Sequence, residues 1–454
     1  MSSAMQATLT QGSVAKTLRD MAAPMVIGLL AMMSFNAVDT FFVGQLGEDA
    51  LAAMSFTFPV VMVYTSLAIG LGAGTSSCVA RAIGAGDQAM AKRLLTDVLT
   101  IALLMSVIFG VLGWWFMEPI FYALGASEKL MPLIREYMDI WFLGIPMVIM
   151  PMAAMAGLRA MGLSKLQGVV MGISAIANGL LDPLLIFGLW GFPRLELAGA
   201  AWASFIVRIG VMLAVAHILI VRLQVLTNPF AKLNELLASW RQVFHVAIPA
   251  MGTNVIIPLA SAIVVAMVAS HGEAAVAGLG VALRVEPMVL ICFYALSAVM
   301  GPFFGQNLSA SAIDRVREAQ SVAMRFCLAM GLAVAVLLAL GGEWLASLFS
   351  DSPEVIAVAK DYLLLVPISY GCYGMVMYIN AAFNGIGKPM PGLVISSLRV
   401  IGLYLPIAWL AMEFWGLKGL FIATAVTNVA VGLIGYIWLR SHIEKSAEAL
   451  CPNS

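Results

Sequence analysis

PMVIGLLAMMSFNAVDTFFVG, at residues 24–44, is the stretch that decides the class of this protein. Only one of its residues, Asp39, is charged. A helix that crosses the hydrocarbon of a bilayer needs about 20 consecutive, mostly apolar residues. The stretch therefore predicts a transmembrane helix that carries an acid deep inside it.

The composition of the whole chain agrees with this interpretation. Of the 454 residues, 62% are hydrophobic and 11% are charged, whereas soluble domains average about 45–50% apolar and about 25% charged residues. Lipid must therefore solvate most of the surface. The formal net charge is zero, so the composition predicts no nucleic-acid partner.

Eleven further segments have the length and polarity of the first one, so we predict an all-α integral membrane protein with twelve transmembrane helices. The predicted spans are 18–43, 51–77, 93–117, 134–157, 165–190, 199–222, 243–269, 276–305, 320–348, 360–383, 390–413 and 418–440.

Positive charges in the loops predict the orientation, since cytoplasmic loops carry an excess of Lys and Arg. With the N-terminus inside, most loop Lys and Arg residues fall on the cytoplasmic side. The other side holds only Lys129, Arg135, Arg194, Lys360 and Lys418. We therefore expect a multi-pass protein of the inner (plasma) membrane with both termini in the cytoplasm.

An internal repeat predicts two lobes. Pro249 follows Pro24 by 225 positions, and Gly272-Glu273 follows Gly47-Glu48 by the same offset. The segment 157–162 resembles 382–387 at this offset as well. Since each half has six spans, both halves have the same orientation, and their pseudo-symmetry axis lies along the membrane normal, an arrangement known in transporters.

The repeat and the longest polar break predict five regions. They are a cytoplasmic N-terminal segment at 1–15, an N-lobe at 16–222, an inter-lobe connector at 223–241, a C-lobe at 242–440 and a cytoplasmic tail at 441–454.

Two acids of the N-lobe form the predicted coupling site. An ionised group in hydrocarbon costs roughly 2.5–3.5 kcal/mol or more, so Asp39 and Asp182 need a reason to be there. Asn36 lies three positions before Asp39, and Asn178 lies four before Asp182, so each pair shares a helix face. A buried carboxylate favours its protonated form, and two acids near each other titrate as a pair.

The repeat shows that these acids are not required by the architecture, because Val264 and Ile407 stand at the equivalent positions of the second half. Two interpretations remain open. The acids bind a coupling ion, H⁺ or Na⁺, or they form a polar network that fixes helix packing.

Other polar and aromatic residues are candidates for a substrate cavity. Glu286 and three in-membrane cations, Arg208, Arg284 and Arg399, either line a cavity or form structural ion pairs. Aromatic faces attract cations, so the same two-way choice, cavity or ordinary packing, applies to a set of aromatic residues: Phe35, Tyr64, Tyr137 and Trp141.

Motifs for enzymes and pumps are absent from the sequence. There is no phosphate-binding GxxxxGK[ST] loop, no HExxH and no GxSxG. The five cysteines, Cys78, Cys292, Cys327, Cys372 and Cys451, are scattered, which predicts no metal site, no redox site and no cofactor. A membrane-embedded enzyme is therefore the weaker alternative.

The first-helix motif at 36–44 and the segment 157–162 resemble the multidrug and toxic compound extrusion (MATE) family. Within that family, Asp39, Asn178 and Asp182 resemble the acidic cluster of the DinF-like branch, which implies a proton or sodium site joined by Tyr137 and Ser204. The acids of the NorM branch in the seventh and tenth helices have no counterpart in 255–269 and 366–382.

The resemblance implies export of amphipathic, often cationic, compounds by cation antiport, with alternating access and with the monomer as the functional unit. A lipid-linked precursor flippase, a sodium-coupled exporter and a passive channel are the other transport hypotheses. The sequence does not establish whether Asp39 and Asp182 are in contact.

Overall fold

The computed structural model describes residues 5–230 and 232–450, and these residues are almost entirely helical. Parts of three predicted regions lie outside the described residues: residues 1–4 of the N-terminal segment, residue 231 of the connector, and residues 451–454 of the tail, including Cys451.

The first half of the chain forms six long helices. They are α1 (Val14–Gly44), α2 (Glu48–Gly84), α3 (Gln88–Trp115), α4 (Met131–Leu143 and Pro146–Ala160), α5 (Ser164–Phe187) and α6 (Glu196–His217, continued by a π-helical turn, Ile218–Arg222). A short helix, Met117–Ala123, follows α3.

Six more cross the second half. They are α7 (Leu233–Ala269), α8 (Glu273–Val289 and Ile291–Ser309), α9 (Ile313–Ser347), α10 (Pro353–Leu365 and Tyr370–Gly385), α11 (390–415, with a π-helical turn at Leu398–Tyr404) and α12 (417–450). The last two are continuous except at Gly416, where φ is 57° and ψ is −140°.

The prediction of twelve transmembrane helices is confirmed. Nine helical stretches of the described residues are long and apolar enough to span a membrane, and α4 and α8 qualify as spans bent by 44° and 49°. These make eleven, and the division at Gly416 makes twelve. Pro146 explains the bend of α4, since proline has no N–H to donate to the preceding turn.

The described chain forms two compact units. The first comprises residues 5–7 and 23–247, and the second comprises residues 8–22 and 248–450. The first two turns of α1 therefore pack within the second unit, and the N-terminal half of α7 packs within the first.

The described residues of the predicted connector at 223–241 belong to the first unit, and α7 begins among them at Leu233. The backbone of the connector is hydrogen-bonded to α3: Arg93 Nη1 donates to the carbonyl of Asn228 at 2.8 Å, and Lys92 Nζ donates to that of Gln224 at 3.1 Å. The early part of α7 also packs tightly on α2, where a Cβ on Gly74 would lie 2.6 Å from the carbonyl oxygen of Val243.

The predicted N-terminal segment is likewise held in place. In the second unit, the N–H of Leu9 donates to Gln306 Oε1 at 3.1 Å. The guanidinium of Arg315 donates to the carbonyls of Leu9, Gln11 and Gly12. These bonds occupy backbone groups that precede α1 and fix its N-terminal end.

Candidate functional site

Asp39 lies on α1 within the first unit and is only 4% exposed. Its Oδ1 atom is buried and has no hydrogen-bond partner among the described residues. A buried acceptor without a donor costs about 1–3 kcal/mol, and more when it is charged. This oxygen therefore needs a proton or a cation.

Asn178 and Asp182 lie one turn apart on α5 and are fully buried. Asn178 Nδ2 donates to Asp182 Oδ2 at 2.7 Å, while the Oδ1 atoms of both residues have no partner in the described structure. The predicted face-sharing of this pair is thus a direct hydrogen bond. It orients the carboxylate and leaves one acceptor atom available.

Small residues bring α1 and α5 together. A Cβ on Gly168 would lie 2.5 Å from the carbonyl oxygen of Pro24, and a Cβ on Gly28 would lie 3.4 Å from the Cα of Gly168. Further along, a Cβ on Gly179 would touch Val38 at 3.8 Å. Since these two residues adjoin Asn178 and Asp39, this approach places the two acids in one neighbourhood.

The charges of Asp39 and Asp182 interact across this contact. Two more helices contribute to the same cluster: Tyr137 of α4 interacts with both acids, and Arg208 of α6 interacts with Asp39 and Tyr137. Four helices therefore converge on two acids, one amide, one phenol and one guanidinium. We call these five residues, Asp39, Tyr137, Asn178, Asp182 and Arg208, the acidic cluster.

Arg208 was left undecided by the sequence, and the structure places it in the acidic cluster. Two acids in one apolar lobe need a compensating cation, and Arg208 is the in-membrane Arg of the predicted N-lobe. This need for charge balance is the signal in the sequence that could have assigned Arg208 to the acidic cluster. Ser204, one turn before Arg208 on α6, is also buried, at 3% exposure.

Asn36 does not join the buried acidic cluster, because its side chain is exposed. Each residue turns an α-helix by about 100°, so a side chain three positions before Asp39 points about 60° away from it. The backbone carbonyl of Asn36 accepts a hydrogen bond from Thr40 Oγ1 at 2.8 Å. Sharing a helix face was too coarse a criterion at this position.

The predicted cavity residues of the first unit are largely packed against each other. Tyr64 and Trp141 have ring centroids 5.3 Å apart, and Tyr64 Oη donates to the carbonyl of Phe109 at 2.9 Å. Trp141 is buried, and Phe35 is half-buried on α1. These contacts favour the packing interpretation for Tyr64 and Trp141.

Glu286 belongs to the second unit. The hydroxyl of Tyr362 donates to its carboxylate, and the charge of Arg399 lies within electrostatic reach. Arg284, two positions earlier on α8, is exposed. Glu286 and Arg399 both line one cavity of ≈ 120 Å³, which favours the cavity alternative over a structural ion pair for these two residues.

Among residues 5–230 and 232–450, no group of three or more His, Cys, Asp or Glu side chains could hold a metal ion. The acidic cluster offers two carboxylates and one amide oxygen instead. That donor set can bind a single proton without any further ligand.

Comparison with known proteins gives three findings. A family model described as MatE matches residues 24–184 and 249–410, two segments that begin 225 positions apart like the repeat. An FAD transporter of Shewanella oneidensis is 38% identical over 94% of this chain and 95% of its own length. A probable multidrug resistance protein of Bacillus subtilis, YoeA, is 27% identical over 88% and 89% of the two chains.

Solved structures agree with these relatives. The crystal structure of the Vibrio cholerae MATE transporter VcmN in its bent form superimposes with a TM-score of 0.91. The sequences are 32% identical, and the match covers 97% of this chain and 99% of that one.

Proposed function

Because the chain belongs to the multidrug and toxic compound extrusion (MATE) family of membrane transporters, and so is not an enzyme, we propose that it exports amphipathic small molecules by antiport with protons. In this proposal the protein is a monomer of the inner membrane, with both termini in the cytoplasm. It needs no cofactor beyond the coupling ion.

The observation that carries the proposal is the charge balance of the acidic cluster. With both acids ionised, Asp39 and Asp182 bring two negative charges and Arg208 brings one positive charge. An unpaired charge in a low-dielectric interior is strongly unfavourable. The binding of one proton neutralises the cluster, and the unpartnered Oδ1 atoms of the two acids are where it can bind.

Proton binding must change the affinity for substrate if the two are to be exchanged. A ligand shifts a conformational equilibrium only through its different affinities for the two states. In the proposed mechanism, protonation from the outside rearranges α1 and releases the substrate. Substrate that binds from the cytoplasm favours release of the proton inward.

Everted membrane vesicles test this proposal. We expect a cationic dye to accumulate when a pH gradient is imposed and to be insensitive to sodium. Asp39→Asn should abolish accumulation at wild-type expression. Asp49→Asn is the matched control, because Asp49 is an exposed acid paired with Lys129 at 2.7 Å. Accumulation that follows a sodium gradient would contradict proton coupling.

A flavin dinucleotide is the second candidate substrate, and a specific observation favours it: the 38% identity to an FAD transporter over nearly the full length of both chains. The same vesicles test it when FAD replaces the dye. Uphill accumulation of FAD that Asp39→Asn removes would identify the substrate. Transport of the dye without transport of FAD would exclude it.

A further inference from the structure

The second unit contains a partly open cavity of ≈ 120 Å³ lined by α7, α8, α10, α11 and α12, with a mostly apolar surface that carries a polar patch. Its apolar wall comes chiefly from α7 and α8. Its polar wall is formed by Glu286, Tyr362, Arg399, Thr427 and Asn428. The volume accommodates several water molecules or one compact polar group.

Arg399 is the main polar feature of this cavity. It lies on the π-helical turn of α11, and its guanidinium stands 4.6 Å from the ring centroid of Tyr373. π-helical turns frequently coincide with functional sites. Stacking fixes the guanidinium plane and leaves its edges, where the N–H donors lie, available for an acceptor.

The protein itself makes little use of those donors. Arg399 Nη1 donates to Asn428 Oδ1 at 3.4 Å, a long bond, and Asn428 is oriented by its own donation to Ser369 Oγ at 3.0 Å. A guanidinium has five N–H donors. Within the described structure, Arg399 and Glu286 form no direct ion pair, and the side-chain acceptors of the guanidinium, Asn428 and Tyr373, are neutral.

A buried hydroxyl, that of Thr427, is the second polar group of interest at the cavity. Thr427 is 1% exposed and lines the cavity, and its Oγ1 atom has no hydrogen-bond partner in the described part of the chain. Buried hydroxyls are nearly always hydrogen-bonded. The cavity therefore presents unused donors on two helices, α11 and α12.

The charges determine which ligand fits. Arg399 cannot lose its charge in a protein, whereas Glu286 can be neutralised by a proton. When Glu286 is protonated, a bound anion can therefore replace it as the counter-charge of Arg399. A cation cannot be accommodated in the same way, because Arg399 cannot be neutralised. We propose that this cavity binds the anionic, acceptor-rich group of an amphipathic substrate, a phosphate or a carboxylate, with Arg399 as its anchor.

The inference rests on the proposed export function, since it specifies the chemical class of the exported molecule. It also links binding to a proton, because Glu286 becomes neutral when the anion enters. Among residues 5–230 and 232–450, the groups within electrostatic reach of Glu286 include no second acid: they are Tyr294, Tyr362, Tyr370, Tyr373, Tyr404 and Arg399. Proton uptake on binding means that affinity for the anion rises as the pH falls.

Three flavins provide a graded series of probes, because riboflavin is neutral, FMN adds one phosphate to it, and FAD adds AMP to FMN through a pyrophosphate linkage. Their binding is measured at pH 6 and pH 8 on the full chain in phosphatidylcholine nanodiscs, in an Asp39→Asn background, because protonation of the acidic cluster is proposed to weaken substrate binding and would oppose the effect of Glu286. We expect FMN and FAD to bind more tightly than riboflavin, and more so at pH 6. Arg399→Gln should reduce affinity for FMN and FAD at least about tenfold and leave riboflavin unchanged.

Two further variants keep the test decisive if Arg399→Gln does not fold. Glu286→Gln mimics the protonated acid, so FAD, whose doubly esterified pyrophosphate keeps its charge between pH 6 and pH 8, should bind at least as tightly as to the chain with Glu286, with an affinity that no longer depends on pH. Arg284→Gln, an exposed arginine two positions away on α8, should bind like wild type. Equal loss of all three flavins in Arg399→Gln, or an unchanged pH dependence in Glu286→Gln, would overturn the proposal.

A phosphate could also come from a lipid headgroup, and a second arm of the experiment distinguishes the two sources. Phosphatidylglycerol nanodiscs that weaken FMN binding in wild type but not in Arg399→Gln would assign the site to a lipid phosphate. Unchanged FMN binding would assign it to a soluble anion. Both results support the anionic site. Because these experiments measure binding and not transport, they test the anionic site independently of whether the antiport proposal is correct.

Discussion

At the scale of single residues, the first unit is organised around an imbalance of charge. Asp39 and Asp182 are buried, the guanidinium of Arg208 lies within electrostatic reach of Asp39, and an oxygen of each acid has no protein donor in the described structure. A network built only to hold helices together would satisfy these atoms. The unsatisfied oxygens therefore favour the ion-binding interpretation over the packing interpretation.

The loss of stability caused by removing the charge of Arg208 should be reversed when the charge of Asp39 is removed as well. Arg208→Gln leaves two buried acids without a cation, and we expect it to lower thermal stability in detergent substantially. The double variant Arg208→Gln with Asp39→Asn should recover stability, with a coupling energy of about 1–3 kcal/mol, because neighbouring charges do not contribute independently. Additive losses in the double variant would show that the two side chains do not interact.

The sequence predicted the acids of the acidic cluster but not its arginine. Asp39 and Asp182 were identifiable because each stands alone in an apolar segment. Arg208 and Arg399 were visible for the same reason, yet their partners lie on other helices, and spacing along one helix carries no information about those. The prediction that Asn36 lies beside Asp39 in the cluster rested on spacing along one helix, and positions i and i+3 share a helix face only approximately.

At the scale of the helices, the contact between α1 and α5 positions the acidic cluster. It depends on Gly168, which lets the carbonyl of Pro24 approach. No sequence pattern distinguished this glycine from the others of α5, because what matters is the backbone that faces it.

Gly168→Ala should separate α1 from α5. The new Cβ would lie 2.5 Å from a backbone oxygen that cannot rotate away, and overpacking of this kind typically costs about 1–3 kcal/mol. We expect a lower melting temperature and impaired transport. Gly172→Ala, one turn further along α5, is the control: its Cβ would meet nothing within 4 Å, so this variant should be neutral or slightly stabilising.

Arg315 should determine how firmly the start of α1 is held in the second unit. Arg315→Gln removes the charged donor for the carbonyls of Leu9, Gln11 and Gly12. Hydrogen bonds to charged groups contribute about 1.5–3 kcal/mol, and these contribute less because two of the three are exposed to solvent. Limited proteolysis should then cleave the N-terminal segment faster than in wild type. Arg325→Gln, an exposed arginine on the same helix, should show the wild-type rate, and equal rates in both variants would refute this role.

Helix number followed from hydropathy, whereas helix ends did not. The early start of α7 at Leu233 lies in a polar stretch, where packing on α2 and α3 rather than composition makes the chain helical. The joint of α11 and α12 depends on the backbone of one residue, Gly416.

At the scale of the whole molecule, the repeat of 225 positions was the most informative sequence feature, and the family match begins at Pro24 and Pro249 with the same offset. In the sequence, the two halves of the repeat differ in that only the first half carries Asp39 and Asp182. The structure adds a polar site in each unit, with Arg208 in one and Arg399 in the other.

The orientation predicted from loop charges can be tested with reporter fusions. A fluorescent protein that folds only in the cytoplasm should be bright at either terminus, and alkaline phosphatase should be inactive there. Phosphatase fused after Gly125, close to Lys129, should be active, because that loop is predicted to be outside. An active phosphatase at the C-terminus would reverse the predicted topology.

The central claim is that the acidic cluster exchanges a proton for each transport event. The most direct measurement is proton flux in proteoliposomes of purified protein, recorded with an internal pH dye when substrate is added. We predict substrate-dependent proton movement opposite to the substrate in wild type and in Asp49→Asn, and none in Asp39→Asn or Asp182→Asn. Proton movement that persists in Asp39→Asn, or wild-type transport without proton movement, would contradict this mechanism.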